Sequence, residues 1–132
     1  MAVEVDLTVL LSSLSPQLTA GEFVFCTLEN GRYGDHAHLS PLAAIQEKEG
    51  LTLILPREHA HEAGFSYDAV FSCITLGVHS SLNAVGLTAA VAGVLASEGI
   101  SANVVAAWYH DHIFVPFERT KDAMAVLAQL GG

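Results

Sequence analysis

The chain has 132 residues, 52% of them apolar, and carries five Lys+Arg against fourteen Asp+Glu for a formal charge of −9. This is enough apolar matter for one compact core or two small ones, with a surface that repels phosphate backbones and anionic headgroups, so nucleic acid and membrane are not expected partners. No apolar run reaches the roughly 18–20 residues of a membrane helix, and Glu4 and Asp6 stand where a signal peptide carries positive charge, so a soluble, cytoplasmic protein is expected.

In chain order, Asp6 precedes Leu7, Leu10, Leu11 and Leu14 at helical spacing, and Pro16 stops the pattern. A short amphipathic helix is predicted there. The β-formers of "EFVFCTL", Glu22 to Leu28, predict a covered strand. The loop "ENGRYGDHAHLSP" follows, with the turn formers Asn30-Gly31 and Gly34-Asp35. "PLAAIQEKEG" reads as a helical turn or an irregular edge, "LTLIL" as a buried strand, and Pro56 as the opening of a short helix that runs to Ala63 before Gly64. A further strand lies in "AVFSCITLGV".

From Ser81 the period changes. Leu87, Val91, Val94 and Leu95 form one helical stripe, Ser80 or Ser81 is placed to cap its start, and Gly99 suits the left-handed C-terminal position. Ala89, Ala92, Gly93 and Ala96 make the other side small enough for close approach. "NVVAAWYH" and "HIFVP" read as two strands that turn at Asp111, with Trp108 and Tyr109 on opposite faces, one in the core and the other at an interface or groove. "ERTKDAMAVLAQL" closes the chain as a helix with Ala123, Val126, Leu127 and Leu130 inward.

"LTLILPREHAHEAG" and "HIFVPFERTKDAM" share a strand that ends in Pro before an acidic-to-basic helix start, which suggests an internal repeat. The expected halves are 1–66, more degenerate, and 67–132. Strand–helix–strand–strand–helix–strand is the ferredoxin-like order, so the predicted class is α+β: two tandem ferredoxin-like βαββαβ units, antiparallel sheets with helices on one face. The uncovered sheet face wants a partner, which a tandem copy or a homodimer supplies.

Several chemistries were weighed on the residues. Six of the seven histidines fall in the pairs His36/His38, His59/His61 and His110/His112. On a helix, positions two apart diverge by about 200°, and a turn at Asp111 would separate the last pair; only His36/His38, in the loop, could reorganise around a metal, with a third ligand from elsewhere, so no metal site is expected and a metal-binding protein is a lesser alternative. No nucleophile elbow, phosphate loop, metalloprotease helix or dinucleotide fingerprint appears, so neither a catalytic residue nor a cofactor is expected. Cys26 and Cys73 sit in strand-like runs and read as buried, reduced thiols.

"HSSLNAVGLTAAVAGVLASEGIS" with "NVVAAWYHDHIFVP", together with "FVFCTL" and "AIQEKEGLTLILPREHA", resembles the ACT domain, in the branch related to the CASTOR-type amino-acid sensors. The resemblance implies a regulatory, small-molecule-binding module without catalysis. Its partner would be a small effector such as an amino acid or a related carboxylate, held between paired units. The alternative on the same fold is an interaction module that holds no ligand. The family's effector-contacting loop maps here onto Val78, His79, Ser80, Ser81 and Leu82, with Asn83 and Gly86 on the first turn of the following helix. The Asp-x-Pro-Gly-like pattern common at that place is absent, so the usual carboxylate partner for an amino group is missing. The remaining donors would be the Ser80 and Ser81 hydroxyls and the free N–H groups of a helix N-terminus near Ser81.

Overall fold

The structure is a computed structural model and describes residues 6–131. The chain divides into two compact units. One is the continuous segment Gly21–Phe71; the other is assembled from the chain on either side of it, Met1–Ala20 and Ser72–Gly132. The halves expected from sequence divide at 66/67, whereas these units are nested, because a strand near the N-terminus pairs far along the chain.

In the nested unit, β2 (Phe23–Glu29), β3 (Ala43–Gln46) and β4 (Gly50–Pro56) form an antiparallel sheet, and α2 (Arg57–Glu62) follows. The order is β3-β4-β2, and Phe71, the first residue of β5 (Phe71–Leu76), pairs with Phe23 as the fourth strand position. "AAIQ" is therefore an edge strand, paired Ala43 to Ile54 and Gln46 to Leu51, and not a helical turn. Strand alternation sends Val24, Cys26, Leu51, Leu53 and Leu55 to one face, where Ala60 of α2 covers them. The place of a first helix is taken by the loop after β2, which contains one 3₁₀ turn, Ala37–Leu39.

The outer unit includes the predicted short helix α1 (Leu7–Ser12), capped by Asp6, whose side chain accepts from the Val9 N–H. β1 (Pro16–Leu18) then pairs antiparallel with β5, Pro16 opposite Leu76. After β5 come α3 (Leu87–Ser97), β6 (Asn103–Ala106), β7 (Asp111–Pro116), a 3₁₀ turn at Phe117–Arg119 and α4 (Thr120–Gly131). The strand order is β1-β5-β7-β6. This is the ferredoxin-like arrangement, with β1 standing where a fourth strand after α4 would be. Leu10 and Leu14, Leu87, Val91 and Leu95 of α3, and Ala123 and Leu127 of α4 pack on Ile74, Leu76, Ile113 and Val115. Each such aliphatic side chain contributes about 1.5–3 kcal/mol on burial.

The internal repeat has a backbone signature. Pro56 and Pro116 end their strands at nearly the same conformation, φ −55°, ψ 136° and φ −53°, ψ 134°, and each leads into a helical turn. Both units are thus α+β and ferredoxin-like, with antiparallel strands and helices on one sheet face.

Two predicted features move. The helix expected from Ser81 starts only at Leu87, with Gly86 as its N-cap at φ +98°. Glycine reaches that left-handed conformation freely, so it marks the true helix entry, and neither Ser80 nor Ser81 caps it. The β6–β7 turn lies before Asp111: Ala106 pairs with Asp111, and the Ala107 N–H bonds the His110 carbonyl, which leaves Trp108 and Tyr109 at the tip. Both rings are exposed, 66% and 58%, so neither enters the core.

A candidate ligand cavity at the end of the outer sheet

At the end of the outer unit's sheet, the loop that leaves β5 meets the β6–β7 hairpin tip. Between them lies a cavity of about 300 Å³ lined by His79, Ser80, Ser81, Leu82, Asn83 and Trp108. The loop is held by short-range bonds: Gly77 N–H to the Ser15 carbonyl at 2.8 Å, Asn83 N–H to the Ser81 hydroxyl oxygen at 3.1 Å, and Ala84 N–H to the Ser81 carbonyl at 3.0 Å. A Cβ on Gly77 would meet Ser15 at 3.0 Å, so the loop leaves the sheet where only glycine fits comfortably.

Among the predicted contacts, His79, Ser80, Ser81, Leu82 and Asn83 share this one cavity, and two do not. Val78 packs against the core, and its carbonyl lies 3.3 Å from His110 Nδ1. Gly86 heads α3 beside Leu7 and carries its carbonyl to the Ala90 N–H. The expected cradle of helix N–H groups is absent, since the Asn83 and Ala84 N–H groups are bonded within their own turn and the helix begins beyond them. What lines the cavity is side-chain chemistry: two hydroxyls, a carboxamide, an imidazole, an isobutyl group and an indole.

His79 is the most telling of these. Its Nδ1 is buried and has no hydrogen-bond partner among the described residues. Its ring lies against Tyr109, centroids 5.2 Å apart and tilted by 45°, and 6.5 Å from the His110 ring. A buried polar nitrogen without a partner costs on the order of 1–3 kcal/mol. Sequence reasoning placed Trp108 on a strand; the two-residue hairpin tip is what brings it to the cavity.

The histidine pairs do not assemble. His59 Nδ1 is bonded to the Leu39 carbonyl at 2.8 Å, the His36 and His38 rings stand 6.1 Å apart, and His112 Nδ1 faces the Thr75 hydroxyl at 2.8 Å. Among the described residues no group of three or more His, Cys, Asp or Glu side chains is placed to hold a metal ion, and no helix is long and apolar enough to cross a membrane.

Two small ferredoxin-like units in one chain, the outer one with a loop-lined hollow where β5 ends, define the class as a tandem ferredoxin-like α+β protein. The chain belongs to the ACT-domain family: residues 2–72 match one ACT-domain model and residues 69–129 another. ACT domains are regulatory domains that bind small molecules. No protein of curated function matches the sequence significantly. Among solved structures, a protein of unknown function from Vibrio cholerae, described as a possible transport protein, is 52% identical, with 96% of each chain covered and a TM-score of 0.87. A protein from Agrobacterium tumefaciens is 16% identical over 89% of each chain, TM-score 0.74. The ligand-free regulatory subunit of aspartate kinase from Thermus thermophilus is 11% identical, TM-score 0.65, over 89% of this chain and 97% of that one. The last two are alike in fold alone.

Proposed function

We propose that the protein is a non-catalytic sensor of a small amino acid or related carboxylate, which binds in the cavity of His79, Ser80, Ser81, Leu82, Asn83 and Trp108. The observation that carries this reading is that five residues of the loop after β5 and the hairpin-tip Trp108 line one cavity. The Ser80 and Ser81 hydroxyls and the Asn83 carboxamide would supply the hydrogen bonds to the ligand, with the His79 ring beside them. Leu82 and the Trp108 indole would cover the apolar part of the ligand. No carboxylate lines the cavity, so the ligand's acid group and side chain, and not an ammonium, supply most of the recognition. Membership of a regulatory, small-molecule-binding family supports the class of effector.

The effector would act by favouring one arrangement of paired modules, through unequal affinity for the two. A homodimer is part of this proposal, as is a division of the sequence into tandem copies at 66/67. The overlapping matches at 2–72 and 69–129 support the second point. A ligand-free interaction module is the second reading, favoured by Leu82, Val85, Trp108 and Tyr109, which are 58–83% exposed at one end of the unit.

The test is a thermal-shift screen over the common amino acids and small carboxylates, followed through the fluorescence of Trp108, the single tryptophan. A ligand at about one hundred times its Kd adds about 2.7 kcal/mol to stability. The expected result is a stabilising ligand that also changes Trp108 emission and loses both effects in His79→Ala. A screen with no such ligand rejects the sensor and favours the interaction module.

A further inference from the structure

The nested unit has its own hollow at the topologically equivalent place, and its chemistry differs. In the outer unit the cavity lies between the loop after the first strand, β5, and the tip of the next hairpin, β6–β7. In the nested unit the corresponding pieces are the loop after β2 and the β3–β4 turn. Between them a cavity of about 740 Å³ is lined by Asn30, Gly31, Arg32 and Tyr33 from the first, and by Gln46, Glu47, Lys48 and Gly50 from the second. No indole or imidazole lines it. Two cations do.

The frame of this hollow is built by one side chain. The Gln46 Oε1 accepts the Tyr33 N–H at 2.7 Å, and its Nε2 donates to the Gly31 carbonyl at 3.1 Å, so a single carboxamide ties the loop to the hairpin. Two glycines allow the close approach. A Cβ on Gly31 would meet the Leu28 carbonyl oxygen at 2.9 Å, and one on Gly50 would meet the same oxygen at 2.3 Å. Arg32 is anchored by its N–H to Asp35 Oδ2 at 2.9 Å, which leaves its guanidinium unused.

The charges are distributed unevenly. Of five basic residues in a chain of net charge −9, Arg57 is paired with Glu22 at 3.2 Å and Arg119 with Asp122 at 3.1 Å. Arg32, Lys48 and Lys121 have no ion-pair partner among the described residues, and of these Arg32 and Lys48 line one cavity together. The single acid there, Glu47, accepts a hydrogen bond from the Thr52 hydroxyl. A guanidinium and an ammonium that border one braced hollow, set against the Glu47 carboxylate in its wall and the Asp35 carboxylate on the Arg32 N–H, give it the donors an oxyanion needs.

We propose that the nested unit carries a second binding site, distinct in chemistry from the His79 cavity, for a small anion with a carboxylate or phosphate group held by Arg32 and Lys48. The site does not rest on the sensor reading. The test is an amide-resolved NMR titration of the full chain with sodium phosphate and, separately, disodium succinate, at ionic strength matched with sodium chloride. The expected result is saturable shifts at the amides of Gly31, Arg32 and Gly50, weakened at least about tenfold in Arg32→Gln/Lys48→Gln and retained in Lys121→Gln and in Trp108→Ala. Saturation by phosphate alone assigns a phosphate ligand, by succinate alone a carboxylate, and by both a general oxyanion site; each supports the proposal. Shifts that match the chloride control, or that persist undiminished in the double variant, overturn it. Because the Trp108 signal reports only the other cavity, failure of either site is read separately.

Discussion

The hydroxyl of Thr75 lies 2.8 Å from Nδ1 of His112, joining β5 to β7 on the sheet face that alternation turns away from Ile74, Ile113 and the helices. Burial lowers the pKa of His112, nearby His110 lowers it further, and Asp111 opposes both. The unfolded chain, with an imidazole near about 6.5, therefore takes up its proton before the native state does. Stability from this group is complete above that value and is lost as pH falls through it. Melting temperature should drop between about pH 7.5 and about pH 5.5, and His112→Asn should flatten that drop. Asp111 works in the opposite sense at lower pH: burial raises its carboxyl despite His112 and His110, so protonation in the carboxylate range favours the native state.

Ser81 braces the turn that presents the candidate cavity by accepting the Asn83 N–H. Ser81→Ala should cost roughly 0.5–1.5 kcal/mol of stability, the usual net worth of one such bond. Ligand affinity should fall more than stability does, since both residues line the cavity. Calorimetric titration beside a urea melt separates the two effects.

Gly50 sits at φ +151° with its α-hydrogen against the Leu28 carbonyl. Gly50→Ala forces backbone apart at the β2–β4 end and should destabilise by at least about 1–3 kcal/mol. Gly93 on α3 has open space around it, and Gly93→Ala should raise stability by roughly 0.4–1 kcal/mol. The opposite signs of the two alanine substitutions are read directly from denaturant midpoints.

Leu10 is fully buried in the core of the outer unit although it stands far from that unit's other residues in sequence. Leu10→Ala should cost about 2–5 kcal/mol. Hydrogen exchange should show loss of protection in β5, β7 and α4, because these strands and helices share its core.

Burial raises the thiol pKa of both Cys26 and Cys73, the latter partly offset by hydrogen bonds to Thr75 and Thr19. Neither thiol should react with a maleimide in the native protein, and both should label once denaturant is added.

Much of this molecule was legible where local chemistry agreed with tertiary packing. Asp6 capped its helix, Pro56 and Pro116 ended their strands, Gly99 took its left-handed place at φ +71°, and the stripe of Leu87, Val91 and Leu95 went inward. The misreadings share a cause. Ser81 and Asn83 have the composition of a helix cap, but their hydrogen bonds close a separate turn, and a later glycine starts the helix. Trp108 and Tyr109 are strong strand formers, yet the register from Ala106 to Asp111 leaves them at a hairpin tip. The segment "AAIQ", read as a helical turn or an irregular edge, holds two alanines that favour helix, and its ladder to β4 makes it an edge strand. Five of the seven residues proposed for the ligand loop line one cavity, while the charged run Glu47-Lys48-Glu49 reads in sequence as a solvated surface although Glu47 and Lys48 line the other hollow.

The position of β1 beside Leu76 has a bearing on how the protein is made. As the polypeptide leaves the ribosome, the segment Gly21–Phe71 can complete its own sheet early, whereas α1 and β1 emerge first and must wait for β5, β7 and α4 to be synthesised. For that interval Leu10 and Leu14 are greasy, unclaimed surface on a nascent chain, so a segment translated before the nested unit finds its place after it.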